Sequence, residues 1–199
     1  MKRNFLSSVI LMAASISLTV SAVAAPIDTP AHSEQSKAEA DYRIAVMYDN
    51  GDGFKRDYAK AAKWYAKAAA QGHSKAQFNL GNMYEHGEGV TKDYDKAISL
   101  WQQAADQGAD KAQFNIALLY EQKEDYARAV EWYARAAEQG HADSQNNLGV
   151  MYARGKGVRM NPTKARQLFK QAAAQNQRYA EHNIKEIDKL KQSRMVSAR

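Results

Sequence analysis

The sequence predicts an all-α protein, a solenoid of helix-turn-helix repeats. Three observations predict it. Alanine is abundant, while valine and isoleucine are too sparse for a sheet protein. A block of about 36 residues recurs along the chain, and a period of that length decides a fold before any local reading does. Within each block the apolar residues fall at helical spacing: Ala76, Leu80, Met83 and Tyr84 lie at i, i+4, i+7 and i+8, on one helical face. The 199 residues include no cysteine, which excludes disulfide scaffolds, cysteine-ligated zinc and cysteine nucleophiles.

In chain order, the first element is an address. Lys2 and Arg3 precede an apolar run from about Val9 to Val23, closed by Ala22-Val23-Ala24. A charged start, a short apolar core and small residues at −3 and −1 predict a signal peptide over 1–24. Ser15, Ser17 and Thr19 break the apolar core, which argues against a retained membrane anchor. Cleavage after Ala24 would remove Lys2 and Arg3 and lower the formal charge from +6 to +4. Residues 25–37 carry Pro26 and Pro30 and few apolar side chains, and are expected to form a flexible leader.

Four repeats follow, at 38–73, 74–109, 110–141 and 142–177. The second contains A-Q-F-N-L-G-N-M-Y-E-H-G-E-G-V, and the first and fourth have close counterparts. The third has A-Q-F-N-I-A-L-L-Y-E-Q and runs straight into its second helix; it lacks the four residues of the Gly-x-Gly loop. Glycines 87 and 89 stop the first helix of the second unit, since glycine takes the left-handed cap conformation without a Cβ penalty. Asp57, Asp93, Asp125 and Asn161 are expected to cap the second helices. Pro162 fits the first helical position, where its missing donor costs nothing. Gly72, Gly108 and Gly140 end the second helices, with Asn176 in the fourth unit.

Small residues form two columns that let the helices approach: Ala45, Gly81, Ala117 and Gly149, then Ala61, Ala97, Ala129 and Ala165. Tyr48, Tyr84, Tyr120 and Tyr152 face them from first helices. Trp64, Leu100, Trp132 and Leu168 do so from second helices, beside a further column of Tyr65, Trp101, Tyr133 and Phe169. No unit buries its apolar face alone, so the stack is the folding unit. A polar-faced terminal helix is then required, and 178–199 is expected to supply this cap and a tail, with Ile184, Ile187 and Leu190 inward.

The pattern L-G-x-M-Y-x-x-G-x-G-V, then K-D-Y-x-K-A, then A-A-x-x-G, resembles the Sel-one-like repeat, a branch of the tetratricopeptide-like superfamily. The third unit departs from it and looks like an ordinary tetratricopeptide unit. The resemblance implies a right-handed α/α superhelix whose first helices line a concave face. It also implies a non-catalytic adaptor for another protein or peptide, in bacterial export or envelope-stress pathways. By that similarity the groove candidates are Tyr42, Phe78, Phe114 and Asn146, then Asn82 and Leu118, then Glu85 and Glu121. Aromatic side chains in a groove can anchor a peptide; the same rings can equally pack between helices.

Asn79, Asn115 and Asn147 form another column. Paired amide donors and acceptors can clamp an extended peptide backbone, or bridge helices within the stack, which is the favoured reading. Charge is uneven: residues 142–199 hold twelve Lys and Arg against four Asp and Glu, while 74–141 hold seven against eleven. A basic end could make weak electrostatic contact with an acidic partner or an anionic membrane surface, though a charge bias is more often a solvated face. No basic-aromatic motif supports nucleic-acid binding.

Enzyme readings find little support, and no cofactor or metal is expected. His73 and His141 sit two repeats apart, on the order of 20 Å for helix layers about 10 Å thick, whereas zinc ligands lie about 2 Å from the ion. The Gly-x-Gly loops recur with the repeat and match no nucleotide fingerprint. Nothing marks a nucleophile or an oxyanion hole. A cysteine-rich branch of secreted repeat proteins binds penicillin-like ligands and is described as weakly hydrolysing β-lactams, but this chain lacks the cysteines. Ser33-Glu34-Gln35-Ser36 also fails the S-x-x-K pattern. The sequence therefore predicts an exported protein, periplasmic or secreted, that binds another protein or peptide; a self-associating structural rod is the remaining alternative.

Overall fold

The computed structural model describes residues 30–197, with side chains from 34 to 189. The expected signal peptide lies outside the described residues, as does the Leu190 side chain. The first two units are built from α1 (Pro30–Asn50), α2 (Tyr58–Ala70), α3 (Ser74–His86) and α4 (Tyr94–Asp106). The next two are α5 (Asp110–Gln122), α6 (Tyr126–Glu138), α7 (Ala142–Arg154) and α8 (Pro162–Ala173), closed by α9 (Ala180–Ser197). Each helix packs on the next in sequence, and α9 also reaches back to α7. The result is an all-α solenoid of helix-turn-helix repeats, with no strand among the described residues.

One boundary differs from expectation. The leader expected over 25–37 is helical from Pro30 onward. Proline is tolerated in a first helical turn, and Glu34, Gln35 and Lys37 are good helix formers. Their exposed side chains need no partner to continue the helix already formed by the repeat.

The second helices start as the sequence predicts. Asp57, Asp93, Asp125 and Asn161 accept from the backbone N–H of Lys60, Lys96, Arg128 and Lys164. The same cations lie over Tyr48, Tyr84, Tyr120 and Tyr152 of the first helices. One side chain thus ties each hairpin's turn to both of its helices. First-helix caps were not foreseen. His73 Nδ1 accepts from the Ala76 N–H and His141 Nδ1 from the Ser144 N–H, while Ala109 offers α5 no side-chain cap.

The core is the second aromatic column. Tyr65, Trp101, Tyr133 and Phe169 are essentially inaccessible, against two glycines that make room. A Cβ on Gly81 would lie 2.4 Å from Trp101 Nε1, and one on Gly149 2.6 Å from Phe169. Between units runs a ladder of buried amides. The Nε2 groups of Gln77, Gln113 and Gln145 donate to the carbonyls of Ala69, Ala105 and Ala137. Their Oε1 atoms accept from Gln107, Gln139 and Gln175. Each of these backbone carbonyls also accepts from the N–H of Gly72, Gly108 or Gly140, so the amide is a second donor at the helix C-terminus.

The Gly-x-Gly loops join units too. A Cβ on Gly89 would lie 2.2 Å from the Tyr58 carbonyl carbon, and one on Gly157 2.3 Å from that of Tyr126. Each loop therefore lies on the start of the preceding unit's second helix. In the third unit a short turn, with Glu124 at φ 58°, replaces the loop.

Candidate functional site

The first helices carry the expected recognition columns, and the structure sorts them. Tyr42 is half-buried, its ring stacked on His73 at 4.5 Å between centroids. Phe114 is half-buried in the same way, 4.8 Å from His141 and 5.9 Å from Tyr133. Phe78 packs on the core, and its carbonyl oxygen accepts from Trp101 Nε1 at 3.1 Å. These rings are partly exposed and pack the rest of their surface on the stack. Leu118 is different: it is 40% exposed at the middle of α5.

The asparagines bridge helices. Asn79 Nδ2 donates to the Tyr65 hydroxyl and Asn147 Nδ2 to that of Tyr133. Asn115 Nδ2 donates to Asn82 Oδ1, 3.1 Å away on the preceding first helix, and the same oxygen accepts from Trp101 Nε1. All three amides are thus engaged with side chains inside the stack. Asn146 departs further from expectation: it is 5% exposed and accepts from Asn183 of α9. The capping helix covers it, which removes it from the groove candidates.

The acidic column is divided by the residue opposite. Tyr65 donates to Asp49 at 2.9 Å and Tyr133 to Glu121 at 2.8 Å. Burial, and then these carboxylates, push both phenols above their ordinary range, so they stay protonated donors. The second unit has Trp101 at that position, and its N–H goes to Phe78 and Asn82 instead. Glu85 therefore has no phenol across from it; its carboxylate lies 3.4 Å from His86 Nδ1. The amide bond between Asn82 and Asn115 joins α3 to α5, and three residues further along each helix lie Glu85 and the exposed Leu118. The two helices thus bring an exposed apolar side chain, a carboxylate and amides to neighbouring turns.

Much of the basic charge after residue 142 is engaged within the chain. Arg166 makes a two-pronged ion pair with Asp188 at 2.7 and 2.9 Å. Lys156 and Lys164 lie over Tyr126 and Tyr152. Among the described residues, no group of three His, Asp or Glu is placed to hold a metal ion. No described helix is long and apolar enough to cross a membrane.

Stacked hairpins closed at one end by α9 define a helical repeat scaffold. The Sel1 repeat model matches residues 38–73, 74–108, 110–141 and 142–177, and the chain belongs to that family. It is similar to c5321, a protective antigen of uropathogenic Escherichia coli with an SLR fold, at 36% identity and a TM-score of 0.71. That match covers 78% of this chain and 34% of the antigen. A Sel1 repeat protein from Oxalobacter formigenes is 34% identical, with a TM-score of 0.70 over 79% of this chain and 63% of its own. The chain thus spans less than two thirds of either relative. No curated protein matches it. Sel1 repeat proteins are helical scaffolds that typically mediate protein interactions and are generally non-catalytic.

Proposed function

We propose that this protein is a non-catalytic adaptor of the bacterial envelope that holds a segment of another protein against its first helices. The observation that carries this reading is Leu118. A large apolar side chain stays 40% exposed inside a repeat stack that buries its neighbours Ile116, Ala117 and Leu119. An apolar side chain at the centre of an interface, shielded from water by a polar rim, can carry binding energy, though leucine does so less often than Trp, Tyr or Arg. Asn82 and Asn115 supply amides beside it, and Glu85 supplies a charge for a basic side chain of the partner. Export rests on the character of residues 1–24, and periplasmic residence on that export. Contact between the basic end and an acidic partner or membrane is secondary, because Lys156, Lys164 and Arg166 already have partners within the chain.

In-cell photo-crosslinking tests the reading. A probe at position 118 is expected to give a discrete adduct with one protein, absent with the probe at exposed Glu131 on α6. The same pattern from both positions, or no adduct with folded, exported protein, would contradict it.

A further inference from the structure

The stack contains a seat without a loop and a loop without a seat. The loops of the second and fourth units lie on Tyr58 and Tyr126, at the starts of α2 and α6. Val90 and Val158, next in each loop, pack against the cores below them. The equivalent place over α4 is vacant, because the third unit has lost its loop. A cleft of about 390 Å³ opens there, lined by Asp95, Ile98, Tyr120, Lys123, Asp125 and Arg128. Ile98 takes the place held by Ala62 in α2 and Val130 in α6, so the floor is apolar where a loop side chain would rest. The rim is charged in both senses, with Lys123 3.9 Å from Asp95 and Arg128 3.3 Å from Asp125.

The first unit has the opposite defect. Its loop, Gly51-Asp52-Gly53-Phe54, keeps the left-handed backbone of the others, at φ 84° and 75°. No earlier repeat among the described residues receives it. A Cβ on Gly53 would meet only Met47 of the same unit, where Gly89 and Gly157 meet another helix's backbone. Phe54, at the position of Val90 and Val158, is stacked on Tyr48 and 46% exposed.

We propose that the cleft over α4 seats the 51–54 loop of a second copy of this chain. Phe54 covers Ile98 and Tyr120, as Val90 and Val158 cover their own floors. Asp52 and Lys55 meet the Lys123 and Asp95 of the rim. The occupant is a second copy because the fold itself shows which shape and chemistry such a seat receives, and this chain carries that loop on no other described helix. The inference does not depend on the Leu118 patch.

The absence of native cysteine makes a direct test available. Full chains carrying Asp52→Cys and Lys123→Cys, with different tags, are mixed at micromolar concentration under a mild thiol oxidant. Seating raises the local thiol concentration towards millimolar, so the mixed disulfide is expected at least roughly tenfold faster than for Asp52→Cys with Glu138→Cys. Ile98→Arg in the Lys123→Cys chain should abolish that advantage. Arginine stands at the equivalent position of α8, where Asp188 pairs with Arg166, so the helicity of the Ile98→Arg chain is measured alongside. Equal rates for the two cysteine pairs, or an advantage that survives Ile98→Arg with helicity intact, would overturn the proposal.

Discussion

Glycine 81 shows how much of the architecture rests on single atoms. Alanine is the better helix former by about 1 kcal/mol, yet a Cβ here would lie 2.4 Å from the buried Trp101 ring nitrogen. Overpacking of that kind costs about 1–3 kcal/mol, and it would also disturb the Trp101 hydrogen bonds to Phe78 and Asn82. Gly81→Ala is therefore expected to lower the denaturant midpoint of unfolding; a raised midpoint would show that the helix gains more than the core loses. The small column was legible in the sequence because it repeats at one register. The buried glutamine ladder repeats just as plainly, but its partners, such as Gln107 for Gln77, lie 26 or 30 residues away and follow no local rule. Leu118 and Phe114 share a predicted face, and only the packing of His141 and Tyr133 around Phe114 separates them.

At the scale of the element, caps and turns set the helix boundaries. The second-helix caps were readable because an aspartate three residues before the bonded N–H is a local signal. The histidine caps of α3 and α7 were not, since imidazole is an uncommon cap. Lys96's backbone N–H, and then its ammonium, hold the Asp93 carboxyl below its ordinary value of 3.8. A carboxyl depressed in the folded state contributes stability above the unfolded value, and that contribution is lost as pH falls below it. Asparagine caps well and does not titrate in this range. Asp93→Asn should therefore flatten part of the fall in thermal midpoint between neutral pH and about pH 3. An identical acid-induced fall in both proteins would show that the cap carries no pH dependence. Asp57, depressed by the matching Lys60 N–H, is expected to behave alike.

Across the whole molecule, the repeat gives a stack in which each unit completes its neighbour, and the exceptions draw attention. α9 closes one end, burying Ile187 and covering Asn146. The third unit's lost loop opens a cleft, and the first unit's loop stays uncovered. The four-unit scaffold was legible because its signal repeats. The columns holding Asn82, Leu118 and Glu85 were legible too. Which members stay exposed was not, because it depends on one unit differing from the next. Trp101 replaces the tyrosine opposite Glu85, and Leu118 stands where the unit before has Asn82. The adaptor reading stands on the exposed Leu118. Its most direct test is the affinity of the protein captured at position 118 for Leu118→Glu against the unsubstituted chain. A weakening of at least about tenfold, roughly 1.4 kcal/mol, with cooperative unfolding unchanged, is the predicted result. Unchanged affinity in a folded variant would contradict the account.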